Sequence, residues 1–327
     1  MLGSLTGRRT GRHMTGVGPV TVALATFKRP GPLANALNAI RSQVDEANRA
    51  GTASHEILVI DNDPRATGRD VAEKYGARYF VESTPGIAAA RNRALDEAAT
   101  SDVLIFLDDD EVVQPGWLDT ITQRQRETGA AAVAGKVVTV FPAQLEPWIR
   151  DSGAFIRPVR VDGQPMNEAA TNNLLLHLPT IRALGLRFDE RFGLTGGSDS
   201  MFTRQLTARG GEIRWAEAAV VVEQEEENRF TKKWVLMRTF RFGNTSARVD
   251  LALAGSPRRR LIARARVVSR GAGRVFYGCA RWIAGVVTRN SSHRAKGHRM
   301  VYRGLGMLAG VAGYAHNEYG RRRRASS

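Results

Sequence analysis

The chain has 327 residues, 43% of them hydrophobic, which is enough for a full α/β core and excludes an intrinsically disordered protein. Its formal charge of +16 is unevenly spread: Asn228 to Ser327 holds 23 of the 48 Lys and Arg but only 2 of the 32 acids, so Met1 to Glu227 is mildly acidic. Cys279 is the single cysteine, which excludes an intrachain disulfide and a cysteine-rich metal site. Residues 1–17 carry Arg8, Arg9 and Arg12 but no apolar stretch, and read as a disordered leader on a cytoplasmic protein. No apolar run approaches the ~20 residues of a spanning helix.

Along the chain, Val20 to Ala25 reads as a strand, Pro32 to Arg49 as a helix, and Glu56 to Ile60 as a second strand ending at Asp61-Asn62-Asp63-Pro64. Asp70 to Tyr75 follows as a short helix, Arg78 to Val81 as a strand and Gly86 to Ala99 as a helix. Val103-Leu104-Ile105-Phe106-Leu107 is then a buried strand that runs straight into Asp108-Asp109-Asp110-Glu111. The alternation predicts a doubly wound sheet, and such sheets bind ligands beyond the carboxyl ends of their strands. Thr26, Asp61 and Asp108 stand at three such ends and could frame one nucleotide pocket. Four adjacent acids repel one another unless a cation sits among them, and Mg²⁺ or Mn²⁺ bridging carboxylates to a diphosphate fits that need. A solvated acidic turn is the alternative from these residues alone.

Four ordered blocks carry a resemblance. Val20 to Pro30, Leu58-Val59-Ile60-Asp61-Asn62, Gly86 to Asn92 and Asp108-Asp109-Asp110 together resemble the nucleotide-binding half of family 2 glycosyltransferases, which have the GT-A fold. The second half continues it with Thr171-Asn172-Asn173-Leu174, Phe192 to Asp199, Trp215 and the Arg238 to Arg248 segment. The likeness is nearest to bacterial succinoglycan-biosynthesis-type glucosyltransferases. It implies an α/β GT-A domain over residues 18–250, with a nucleotide-binding half (18–119) and an acceptor half (120–250), and leaves 251–327 as a basic helical extension and tail.

The resemblance also implies an inverting transfer from a nucleotide-diphosphate donor, with UDP-linked sugar expected, onto a lipid-linked or polysaccharide acceptor. Asp199 is then the general base. Asp108 and Asp110 hold Mg²⁺ or Mn²⁺, and Thr26, Asp61, Arg91, Asp108 and Asn173 contact the donor. Two positions depart from the family pattern: Ser198-Asp199 stands where relatives usually read Glu-Asp, and Glu223-Gln224 where they often read Glu-His. Plainer roles compete at single positions. Asp61 and Asp63 can cap the turn before Pro64, Gly196 to Asp199 can start an ordinary helix, and Arg91 can pair with the acidic strand end.

The basic region from Arg258 onward reads as separable. Leu261, Ala265, Val268, Ala272, Val275, Cys279, Ile283 and Val286 recur at intervals of three and four, with Val301, Leu305, Leu308, Val311 and Ala315 repeating the pattern. Basic amphipathic helices of this kind lie on anionic membrane surfaces or pack on a domain. The expectation is a protein peripheral on the inner face of the membrane and not bound to nucleic acid, since the tail lacks an aromatic stacking module. The rival readings are a nucleic-acid-binding protein driven by that tail, and a nucleotide-binding relative of impaired activity.

Overall fold

In the computed structural model, residues 18–51, 54–141, 144–224 and 227–316 are described; the leader at 1–17, the Arg321 to Arg324 run and the side chain of Gln224 lie outside them. The first element is β1 (Val20–Thr26), whose β-branched and apolar residues are buried on both faces. Helix α1 (Pro30–Ala50) starts on a proline, for which φ is already helical, and buries Leu33, Ala36, Leu37, Ile40 and Val44, the i, i+3, i+4 stripe of an amphipathic helix. Then come β2 (His55–Asp61), α2 (Arg69–Lys74), β3 (Arg78–Val81) and α3 (Ile87–Glu97). Next are β4 (Val103–Asp108), β5 (Glu111–Val113) and α4 (Trp117–Thr128).

The second half adds β6 (Ala132–Val140), α5 (Pro147–Ser152), β7 (Pro165–Met166), β8 (Leu174–His177), α6 (Leu178–Ala183), α7 (Ser198–Ala208) and β9 (Ile213–Gln224). All nine strands form one sheet in the order β3-β2-β1-β4-β8-β6-β9-β5, with β7 pairing β9. Strands β3, β2, β1 and β4 are mutually parallel, and β8 runs antiparallel to β4 and β6. The sheet is therefore α/β and mostly parallel at the end that matters. Register pairs Thr26 with Asp61 and Ala25 with Asp108, so the three strand ends singled out in the sequence lie side by side.

The acidic block is more structured than a solvated turn. Asp108 is the last residue of β4, Asp109 and Asp110 form the turn, and Glu111 opens β5, where it pairs opposite Glu223 of β9. Strand β6 runs parallel to β9 with a register break: Gly135 pairs Ala216, yet Lys136 pairs Val220.

Three long helices follow: α8 (Lys232–Leu253), α9 (Pro257–Val287) and α10 (Ser291–Val311). Helix α9 meets α10 along a seam of Val267, Gly271, Gly278 and Gly285, all buried. A Cβ on Gly278 would approach Val301 N at 2.8 Å and Gly297 O at 3.0 Å, so the two backbones are in direct contact. The apolar stripe read from the sequence is a different face. Leu261, Val268, Ile283 and Val286 are exposed, with Phe276 and Val287 beside them exposed by 79% and 77%. Nor is the whole extension separable. Helix α10 packs on α8, its Arg299 donates to the Ser152 carbonyl of α5, and Ser291 bonds Asp151.

Candidate active site

Two cavities open at the carboxyl ends of the parallel strands. One, of about 530 Å³, is lined by Thr26 of β1, by Asp108, Asp109 and Asp110, by Arg91 of α3 and by Arg238 and Arg241 of α8. The other, of about 630 Å³, is lined by Asp199 and Ser198 at the start of α7, by Asn172 and Asn173, and by Trp215 of β9. Ile87, Arg91, Arg241 and Phe242 line both, so a single wall divides them.

Local sequence explains how the wall is built. Gly86 has φ +122°, and a Cβ there would press on the Gly193 backbone at 3.1 Å; Ile87 N–H donates to Gly193 O at 3.2 Å. That close approach brings the start of α3 against the loop leading to α7. Gly197, with φ +97°, fits between Phe192 and Thr245, and the next residues begin α7 with Ser198 and Asp199. Arg91, 9% exposed, donates from Nη1 to Ser198 Oγ at 3.0 Å and lies over the Phe188 ring. Asp199 is partly exposed, and its Oδ1 accepts from Ser200 N–H at 2.8 Å.

The acidic turn is held by two neighbours. Asp109 accepts from Thr26 Oγ1 at 2.7 Å and from Arg29 Nη1 at 2.8 Å, while Arg29 Nη2 donates to Asp110 at 3.0 Å. Burial raises the Asp109 carboxyl to about 6 despite Arg29 and Thr26. Asp108 is raised to about 7 by burial, which the Arg91 guanidinium partly offsets and Asp110 and Asp109 reinforce. Its carboxylate makes no hydrogen bond among the described residues. Glu111, wholly buried, accepts from Asn172 Nδ2 at 3.0 Å and from Asp108 N–H at 3.1 Å, and burial followed by Asp108 pushes it well above the ordinary carboxylate range. This is a concentration of negative charge that the fold only partly neutralises.

The sequence-derived residues thus fall into three groups. Thr26, Arg91, Asp108 and Asp110 meet in one cavity and Asp199 stands in its neighbour. Asn173 borders the Asp199 cavity with its amide fully engaged: Oδ1 accepts from Trp117 Nε1 at 2.9 Å, and Nδ2 donates to Lys136 O at 3.1 Å and Ala219 O at 2.8 Å. Asp61 lines neither cavity. It is wholly buried and accepts from Asp63 N–H, Gly68 N–H and Tyr79 Oη at 2.8 to 2.9 Å, and burial, followed by this bond to Asp61, pushes the Tyr79 hydroxyl's pKa upward. The neighbouring Asn62 borders the acidic cavity instead, where its Oδ1 accepts from Gly86 N–H at 2.9 Å.

Sequence reasoning gave no role to Arg29 or to Trp234, both of which border the acidic cavity, and named Glu111 only as part of the acidic block. Arg29 sits in the Lys28-Arg29-Pro30 turn, where Lys28 takes φ +58°, and a basic residue before a helix that starts on proline was the available signal. Among the described residues no group of three or more His, Cys, Asp or Glu side chains is arranged to hold a metal by itself. Asp108, whose carboxylate has no hydrogen bond among the described residues, and Asp110, paired with Arg29, are hard oxygen donors of the kind a divalent ion takes when ligand oxygens complete its shell.

Comparison with known proteins gives the family and the fold. The Glycosyl transferase family 2 domain matches residues 21–187. The succinoglycan biosynthesis protein ExoM of Rhizobium meliloti (strain 1021) is 33% identical over 238 residues, covering 70% of this chain and 74% of that protein. Among solved structures, GalNAc-T7 with UDP, GalNAc and Mn²⁺ aligns at a TM-score of 0.52 and 12% identity, over 72% of this chain and 51% of that one. S. aureus TarS 1-349 in complex with UDP-GlcNAc aligns at 0.50 and 14% identity, over 87% and 90%. At such identities these two speak for the fold, which is GT-A-like. With its family domain over half the chain and a relative one-third identical, this protein belongs to glycosyl transferase family 2 and is a glycosyltransferase.

Proposed function

We propose that the enzyme transfers a sugar from a UDP-linked donor, with inversion, to a saccharide acceptor. The observation that carries the reading is the shared wall: the cavity of Asp108 and Asp110 adjoins the cavity of Asp199, so a donor in the first presents its anomeric carbon to an acceptor in the second. Asp199 takes the proton of the acceptor hydroxyl. The freed oxygen attacks the anomeric carbon on the face opposite the diphosphate, and the bond to the diphosphate oxygen breaks with its electron pair leaving on UDP. Asp108 and Asp110 would hold Mg²⁺ or Mn²⁺, which when bound neutralises the departing diphosphate. Arg91, fixed by Ser198, adds a positive charge at the junction, and Arg238 and Arg241 place two more along the donor cavity.

The reading is tested by calorimetric titration of UDP with Mn²⁺, with Mg²⁺ and with EDTA, on the wild type and on Asp110→Ala. Micromolar binding that requires both metal and Asp110 supports it. Asp199→Asn then keeps UDP affinity and loses turnover by about 10³-fold or more, the scale at which a positioned proton acceptor acts. Equal UDP binding in EDTA, or an active Asp199→Asn enzyme, refutes the corresponding part.

The acceptor side has a membrane component in this reading. No described helix is long and apolar enough to cross a bilayer. Helix α9 nevertheless leaves Leu261, Val268, Phe276, Ile283, Val286 and Val287 exposed along one face, with Arg264 and Arg266 also exposed on either side. An apolar stripe with basic flanks suits an anionic bilayer surface, and a lipid-linked acceptor would then be met where it resides.

A further inference from the structure

The cavity around Asp199 is far more basic than binding a neutral sugar requires. Arg91, Arg157, Arg160, Arg204, Arg241 and Arg303 line it, against two acids, Glu168 and Asp199. Three of these guanidiniums are committed to the fold: Arg91 to Ser198, Arg157 to Glu223 at 2.8 Å, and Arg204 to Asp250 at 2.7 Å. Arg241 lies on the wall shared with the donor cavity and serves that side.

Arg160 and Arg303 are different. Arg160 lies over the Trp215 ring at 5.4 Å and makes no hydrogen bond or ion pair among the described residues. A guanidinium stacked on an indole keeps its N–H fork in the plane of the stack, oriented for a bidentate oxyanion. Arg303 comes from α10, 143 positions later in the chain, and likewise has no hydrogen-bonded acid among the described residues. Burial and the neighbouring Arg274 lower its pKa, and Glu168 only partly offsets them. Arg299, one turn earlier on the same helix, is lowered by burial and by Arg303 and Arg238. Arg303 therefore borders the cavity with other guanidiniums close behind it, and an anion in the cavity beside it relieves that like-charge cost.

We infer that the acceptor is an anionic saccharide, carrying a carboxylate or phosphate ester that Arg160 and Arg303 hold while its hydroxyl faces Asp199. The inference rests on the Asp199 cavity being the acceptor side. It adds what the acceptor must look like: a uronic acid or a sugar phosphate rather than a neutral hexose. The recognition is split between the loop before β7 and the C-terminal helix, so it also gives α10 a part in substrate choice.

The test is titration of glucuronate, glucose 6-phosphate and glucose, monitored by saturation-transfer NMR, into the full chain with and without saturating UDP and diamagnetic Mg²⁺. Saturating UDP occupies the donor arginines, so what remains reports the Asp199 cavity, and UDP affinity itself reports the donor reading separately. The expected result is that a charged probe binds at least ~10-fold more tightly than glucose, a difference of about 1.4 kcal/mol. Preference for glucuronate names a uronic acid, and preference for glucose 6-phosphate a phosphate ester. Arg160→Gln and Arg303→Gln each remove most of that margin and leave UDP affinity unchanged. Arg160→Lys, which keeps the charge and the stem over Trp215, loses the margin in part. Equal binding of all three sugars, or a charged-sugar preference that survives both Gln substitutions in folded protein, overturns the inference.

Discussion

Asn173 separates two roles that its sequence position left merged. The resemblance puts it against the donor phosphates, whereas its amide ties together β6, β8, β9 and α4 across the break in the β6 and β9 register. Asn173→Ala would orphan the Trp117 indole N–H, which is wholly buried, and remove a donor from the Lys136 and Ala219 carbonyls. A buried group left unpaired costs roughly 1–3 kcal/mol, the carbonyls toward the low end because each has a second lone pair. The sum, with the small cavity, is roughly 3–5 kcal/mol, or a fall in Tm of about 4–7 °C for a chain this size. Asn173→Asp should be at least as harmful, since it sets a carboxylate against two carbonyl oxygens. Urea unfolding monitored by tryptophan fluorescence measures the loss, and UDP affinity per folded molecule should stay within about twofold. A variant as stable as wild type but unable to bind UDP would refute this reasoning and return the side chain to the donor.

Two further predictions concern charge and surface. Glu111 has a folded pKa raised above its ordinary 4.5, so it costs nothing while protonated, and the protein loses stability as pH rises through the raised value. In EDTA, Glu111→Gln should therefore be more stable than wild type at pH 8 with the margin shrinking toward pH 4; a difference that does not change with pH would sink the assignment. At the surface, wild-type protein should cosediment with phosphatidylglycerol vesicles and only weakly with phosphatidylcholine. The Leu261→Glu/Ile283→Glu pair should reduce that binding by at least ~10-fold, because each exposed apolar side chain is worth roughly 1.5–3 kcal/mol when buried; unchanged sedimentation would refute a membrane face on α9.

Periodicity made much of the first half legible. A strand buried on both faces, as β1 and β4 are, must be continuously apolar, and a helix covering one face must repeat every three to four residues, as Leu33, Ala36, Leu37 and Ile40 do. What stayed hidden was side-chain direction at the strand ends. Thr26, Asp61 and Asp108 do lie together, yet Asp61 turns into the fold to satisfy the Gly68 amide and the Tyr79 hydroxyl, because a carboxylate two residues before a turn finds those donors first. The helical hairpin was hidden for a related reason. A 3.6-residue apolar pattern reads as the packed face, whereas glycines every seven residues allow a closer backbone contact that hydropathy does not register, and so the apolar stripe of α9 is left outward.

The charge asymmetry gains its meaning only in three dimensions. Read linearly, an acidic domain and a basic tail look like a catalyst and an anchor. The fold instead returns α8 and α10 to the carboxyl ends of the parallel strands, so Arg238 and Arg241 border the cavity of Asp108 and Asp110, and Arg303 borders that of Asp199. Each site thus adds to its nearby cations, such as Arg29 and Arg91, arginines drawn from a distant part of the sequence. A nucleic-acid-binding tail would have no need of such placement, since it works by presenting its charge outward along a continuous surface. Here the basic segment divides by helix: α8 and α10 turn arginines toward the two cavities, while α9, which lines neither, keeps its apolar stripe and most of its arginines exposed. The glycine seam joins the two helices backbone to backbone, so α9 is held against the outer side of α10 while Arg303 of α10 borders the Asp199 cavity.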